Sequence, residues 1–170
     1  LGVAILGFAQ SAAPSKVGII HIQNAIIGTK DGQKAASELQ ARFAPRRAEL
    51  EKKQNEIAAL QDQIKKGANT LNDEARQKLM RDIDQKTKAM NRDSEDAQAE
   101  VNQEEQKIMQ DLGGKMVAVI DKYGRDNSFA LILDVSSPQT PVMYAANGID
   151  ITAEIVGLFD KATAASAAAA

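Results

Sequence analysis

The hydrophobic positions along the chain follow three rhythms, one per region. Val17-Gly-Ile-Ile-His-Ile is short, β-branched and flanked by polar residues, which predicts a buried strand. Asn24 is placed to cap a brief turn through Ile27, which Gly28 ends. From Thr29-Lys-Asp-Gly onward the rhythm is helical. Phe43, Leu50, Ile57, Ile64 and Leu71 are seven residues apart, with Leu39 and Leu60 on intermediate turns. A seven-residue spacing keeps one stripe turned toward a partner helix. Pro45 falls inside this segment and predicts a kink or break around residues 43–46, because a helical proline loses a hydrogen bond and costs roughly 3 kcal/mol. The run Lys65-Lys-Gly-Ala-Asn-Thr-Leu-Asn-Asp-Glu predicts the end of the helix over 32–66 and the start of another. Lys65 and Lys66 complement the C-terminal dipole, Gly67 suits a left-handed cap, and Thr70 or Asn72 can N-cap the helix that follows.

In that second helix, predicted over residues 71–126, the period changes. Leu79, Met90, Val101, Leu112 and Tyr123 are eleven apart, as are Ala97, Ile108 and Val119. Eleven residues in three turns gives a nearly straight seam. Two long helices with single seams, joined by a short capped turn, predict an antiparallel hairpin. At 1.5 Å per residue the helices span about 52 and about 84 Å, so the second must run past the base of the first, into the apolar part of the protein. Gly113-Gly114 lies in that basal region. It is a candidate flexible joint, as is Pro45; close packing of a neighbouring backbone is the other reading of the glycine pair. Phe129-Ala-Leu-Ile-Leu-Asp-Val predicts a second strand and Val142-Met-Tyr-Ala a third. Asn147-Gly148 turns the chain, Asp150 caps a last helix over 151–159, and the Ala-rich tail from Ala162 is expected to fray.

Charge is segregated in the same way. The chain has 170 residues with 21 Lys or Arg and 23 Asp or Glu, one His, and no Cys or Trp. Residues 46–92, the outer half of the hairpin, hold 12 basic and 8 acidic side chains, whereas residues 30–45 with 93–126 hold 7 and 11. The hairpin is therefore neutral but polarised, with Lys65, Lys66, Arg76, Lys78 and Arg81 near its tip. These cations serve either solubility and intrahelical pairing, or contact with an acidic partner or an anionic membrane surface. Large apolar residues number 9 among the 47 of residues 46–92, but 20 among the 43 of residues 17–28 and 129–159. The second set is the body core, with Ile19, Ile20, Ile22, Leu131, Leu133, Val142 and Tyr144 as its candidates. So small a body usually needs disulfides, a metal or oligomerisation. The absence of cysteine removes the first and any thiolate metal site, which leaves assembly, with strand edges shared between chains.

No catalytic constellation is present. His21 is the sole histidine, reads as a strand residue, and has no second histidine or thiol for a transition metal. Asp82-Ile-Asp84 and Asp93-Ser-Glu-Asp96 read as solvated helix surface, since residues two apart do not share a helical face. No metal or cofactor is expected. The net charge of −2 and 4% aromatic content argue against nucleic-acid binding. Residues 1–13 form an uncharged apolar run ending in Ser11-Ala12-Ala13, like the later part of a secretory signal peptide, which predicts export.

Val17-Gly-Ile-Ile-His-Ile-Gln, Phe43-Ala-Pro-Arg-Arg-Ala-Glu-Leu-Glu, Leu131-Ile-Leu-Asp134 and Tyr144-Ala-Ala-Asn-Gly-Ile-Asp-Ile-Thr152 together resemble the Skp/OmpH family of periplasmic chaperones. The similarity runs from Val17 to Phe159. It implies an α+β fold in which a long antiparallel α-helical hairpin, a coiled-coil arm, sits on a small β-strand body that completes a barrel by trimerisation. It further implies an ATP-independent holdase for unfolded outer-membrane β-barrel proteins, kept in a cavity between three helical arms in the periplasm. The resulting layout has a signal remnant over 1–13, a discontinuous body over 17–28 and 127–160, an arm over 29–126 and a disordered tail over 161–170. Competing expectations are an envelope tether with no client and a cytosolic holdase of the prefoldin type.

Overall fold

The computed structural model describes residues 16–168; the expected leader over 1–13 lies outside them. The elements are strand β1 (Lys16–Ile20), helices α1 (Ile22–Gly28), α2 (Lys30–Lys66) and α3 (Asp73–Asp126), strand β2 (Phe129–Asp134), a 3₁₀ turn at Asn147–Ile149, and helix α4 (Thr152–Ala168). The chain is mostly helical, with one two-stranded sheet in which β1 and β2 run parallel, Val17 opposite Leu131 and Ile20 opposite Asp134. Two compact units are present, one of residues Gln33–Gln110 and one of the described residues through Gly32 together with those from Asp111 onward.

In the Gln33–Gln110 unit, α2 and α3 lie antiparallel. Their cross-links fix this direction: Arg42 pairs with Glu104, Lys53 with Asp93, and Glu56 with Lys86, so rising numbers on one helix meet falling numbers on the other. The seam follows the predicted spacings. Phe43, Ile57 and Ala97 are buried, and Leu50, Ile64, Leu79, Met90, Val101 and Ile108 are half-buried. Helix α2 passes through Pro45 without a break. Pro45 and Ala41, whose carbonyl the proline leaves free, are exposed, so water can take up that carbonyl, and the seam on either side outweighs one lost bond. At the tip Asn72 caps α3, its Oδ1 accepting the Ala75 N–H at 2.8 Å. Gly67 adopts no left-handed conformation. It is needed for space instead, because a Cβ there would stand 2.6 Å from the Leu71 side chain folded over it.

The other unit is built around Ile20, Ile26, Met116, Ile155 and Phe159, all nearly or fully buried, with Ile19, Leu112 and Ile151 at its margins. Full burial of side chains this size contributes about 2 kcal/mol each. The far end of α3 belongs to this unit, as its length requires, and the expected boundary at 126/127 falls within it. Helix α1 begins after His21, not at Asn24, and no local side chain caps it. Its first N–H groups find distant acceptors: His21 N–H donates to Thr152 Oγ1 (3.0 Å), Ile22 N–H to Asp134 Oδ1 (3.3 Å) and Gln23 N–H to Ser136 Oγ (3.2 Å). Lys30, opening α2, likewise donates its N–H to Asp160 Oδ1 at 2.9 Å. The C-terminal segment thus meets the orphan donors at the start of α1 and the first one of α2.

Three further expectations are corrected. Val142–Ala145 forms no strand and pairs with no strand among the described residues; Pro138 and Pro141 just before it lack the N–H that a ladder needs. Ile22 is helical and half-buried, not a strand residue. Helix α4 continues past Phe159 and through the alanine-rich stretch to Ala168, since alanine is the best helix former.

Candidate functional site

At the middle of the hairpin, ion pairs flank the apolar seam. Lys53 Nζ bonds Asp93 at 2.5 Å and pairs with Glu49 at 3.0 Å. Lys86 donates to Glu56 at 2.8 Å. The bonds to Asp93 and Glu49 hold the Lys53 ammonium pKa above its ordinary value. The reciprocal bond from Lys53 lowers that of Asp93, and the bond from Lys86 lowers that of Glu56. A shallow groove of about 120 Å³, lined by Arg46, Glu49, Leu50, Lys53 and Asp93, lies beside these pairs. It is polar, small and open, and nothing in it converges as a catalytic group would.

Lys65 and Lys66 close α2, while Arg76, Lys78 and Arg81 occupy the first turns of α3, all exposed. Lys66 pairs with Asp62 at 2.6 Å; Lys65, Arg76, Lys78 and Arg81 have no ion-pair partner among the described residues. Six of the nine ion pairs among the described residues join residues four apart on one helix, pairs typically worth 0.3–0.5 kcal/mol. Intrahelical pairing therefore absorbs much of the arm's charge but leaves four tip cations free.

The candidate joints behave differently from one another. Gly113 and Gly114 lie within an unbroken α3, and a Cβ at Gly113 would meet only Ile26 Cδ1 at 3.8 Å, while at Gly114 it would meet nothing. No neighbouring backbone requires them. Gly32 is the opposite case, since its Cβ would fall 2.0 Å from the Ile26 carbonyl oxygen. There Thr29, fully buried, donates its hydroxyl to Ile26 C=O (2.7 Å) and accepts the Gly32 N–H (3.0 Å), tying α1 to α2. Sequence reasoning opened the helix at Thr29 without assigning it the cap, although Thr is a favoured N-cap residue, and passed over Ile26, Met116, Ile155 and Phe159.

Of the body candidates, the structure buries Ile19 and Ile20, half-buries Ile22, Leu133 and Val142, and leaves Leu131 and Tyr144 exposed, Tyr144 at 86%. Val17 and Leu131, opposite each other on the sheet, form an exposed apolar pair with Met143 and Tyr144 in the nearby sequence. His21 is half-buried before α1. Two carboxylates feel its charge, and both have pKa values below the ordinary range. At Asp150 the Thr152 hydroxyl is the main cause. At Asp134 partial burial opposes the shift, but bonds from Ser136 and the Ile22 N–H outweigh it. Among the described residues there is no group of three or more His, Cys, Asp or Glu side chains fit to hold a metal, and no helix is long and apolar enough to cross a membrane.

A long charged hairpin joined to a unit with one parallel strand pair defines a helical-arm class of protein. Residues 16–158 match the family described as outer membrane protein (OmpH-like), and the chain belongs to that family. A crystal structure from Caulobacter crescentus CB15, described as an outer membrane chaperone (OmpH-like), superposes with a TM-score of 0.63 at 19% identity, covering 94% of this chain and 92% of that one. At that identity the likeness speaks for the fold alone. No curated protein matches the chain.

Proposed function

We propose that the protein is an ATP-independent periplasmic holdase chaperone for unfolded outer-membrane β-barrel proteins. The observation that carries this reading is the arm of an OmpH-like chain, a long antiparallel hairpin with one thin apolar seam and mid-arm charge pairs. Such an arm has little holding it straight, and it can bend around clients of different size through many weak contacts. Three copies assemble through the body, where Val17, Leu131, Leu133, Val142 and Tyr144 find partners on neighbouring chains, and the three arms enclose the client. The exposure of Leu131 and Tyr144 in the single chain supports that assembly, because apolar surface at an unpaired sheet edge is a ready interface. The free tip cations support a weak contact with an anionic membrane surface. No nucleic acid, cofactor or catalysis enters this reading.

The test is aggregation of a urea-diluted outer-membrane β-barrel protein, followed by light scattering with and without the purified protein. Suppression at a stoichiometric amount of trimer, without ATP, is the expected result. Absence of suppression by a folded, assembled protein would overturn it in favour of an envelope tether.

A further inference from the structure

We propose that Asn147 is a site of spontaneous covalent modification, converting to aspartyl and isoaspartyl forms through the Gly148 amide. Four observations converge there. Asn147 is exposed, and its carboxamide has no hydrogen-bond partner among the described residues. The Gly148 N–H, the nucleophile of the reaction, also makes no hydrogen bond among them. Gly148 has no side chain to screen the approach, and the space where one would stand is empty. The turn that must open is held by two bonds only, Ile149 N–H to Ala146 C=O at 3.1 Å and Asp150 N–H to Asn147 C=O at 3.4 Å, the second near the limit of a hydrogen bond. Single turns of this kind lie at the low end of local opening free energies.

The step involves no redox change. The Gly148 nitrogen loses its proton and attacks Asn147 Cγ, forming a C–N bond. The bond to the side-chain nitrogen breaks, and ammonia leaves with the displaced proton. Water then adds to either carbonyl of the resulting cyclic imide, giving Asp or isoAsp at position 147. The other asparagines with defined roles are protected. Asn72 Oδ1 is held by the Ala75 N–H, Asn127 Nδ2 donates to Tyr123 C=O, and Asn102 Oδ1 accepts from Gln98. The isoaspartyl product carries the main chain through the β-carbon, so the added methylene lies inside the turn. Asp150, immediately beyond, bridges to Ile19 of β1, and Ile151 N–H donates to Ile19 C=O at 3.0 Å. Modification at Asn147 therefore loosens the attachment of α4's start to the β1 edge.

The full chain is aged at mildly alkaline pH and read by peptide mapping with mass spectrometry, together with labelling by an isoaspartyl methyltransferase. Conversion at Asn147 should be about tenfold faster than at Asn72 or Asn127, each of which must first release a hydrogen bond. Gly148→Ala, whose methyl group has room, should fold normally by circular dichroism and slow the conversion severalfold. Equal rates at the three asparagines, or a folded Gly148→Ala chain that converts as fast as the parent, would overturn the proposal.

Discussion

Three glycines that look alike in the sequence have opposite demands, and alanine substitution separates them. At Gly32 the added methyl carbon would lie 2.0 Å from the Ile26 carbonyl oxygen, 3.0 Å from its carbon and 3.0 Å from Thr29 Oγ1. Two of these atoms are backbone and the third is buried and doubly bonded, so none can step aside as a flexible side chain would. Overpacking costs typically 1–3 kcal/mol, and with backbone as the obstacle the upper end applies. For a chain of this size, about 3 kcal/mol lowers Tm by roughly 6–12 °C. Gly113→Ala and Gly114→Ala meet only an ordinary contact at 3.8 Å and open space, respectively. Each replaces a helical glycine, which is about 1 kcal/mol worse than alanine, and should raise Tm by about 2–4 °C. The measurement is thermal unfolding followed by far-ultraviolet circular dichroism, at matched protein concentration, since any self-association would make Tm concentration-dependent. An unchanged Tm for Gly32→Ala, or a lowered one for Gly113→Ala, would refute the reasoning from local space.

Acid should weaken the unit that holds α1 and α4. Asp134 and Asp150 have folded pKa values below the ordinary 3.8, so their contribution is complete above that value and is lost as pH falls through the depressed ones; Asp134→Asn should flatten this acid limb in urea titrations. Phe159→Ala should cost about 3–5 kcal/mol, the usual penalty for emptying a buried aromatic site, whereas Tyr144→Ala should leave protomer folding intact and reduce assembly, as read by sedimentation velocity. A folded wild-type monomer in that experiment would remove the shared-strand interface. Neutralising Lys65, Arg76, Lys78 and Arg81 together to Gln should weaken binding to anionic vesicles and flatten its salt dependence; unchanged binding at low salt would leave those cations a role in solubility alone.

The arm was legible in the sequence because helical periodicity reports directly on which side chains face a partner. Phe43, Ile57, Ala97 and Leu112 were placed by spacing alone and are buried. Asn72 was readable because capping is local chemistry. The body was less legible because its stabilising contacts join distant parts of the chain. Nothing near His21 hints that Thr152 and Asp134 supply the acceptors for the start of α1. Val142–Ala145 reads as strand because β propensity measures fit to a half-buried pleated surface, and the single chain offers that segment no such surface. Pro45 misled in the other direction, since one lost hydrogen bond is a small term in a helix of 37 residues. The tip cations were identified as a cluster, but which of them are free of partners required the geometry around Asp62.

The parallel pairing of β1 with β2, reinforced by the bond from His21 to a residue 131 positions later, imposes an order of events on folding. Local hairpin contacts form early, while closure of so long a loop must wait until nearly the whole chain is present. A ribosome delivering this polypeptide from its N-terminus therefore releases the hairpin segment before the sheet can exist. Any chain interrupted before β2 lacks the partner strand that β1 needs.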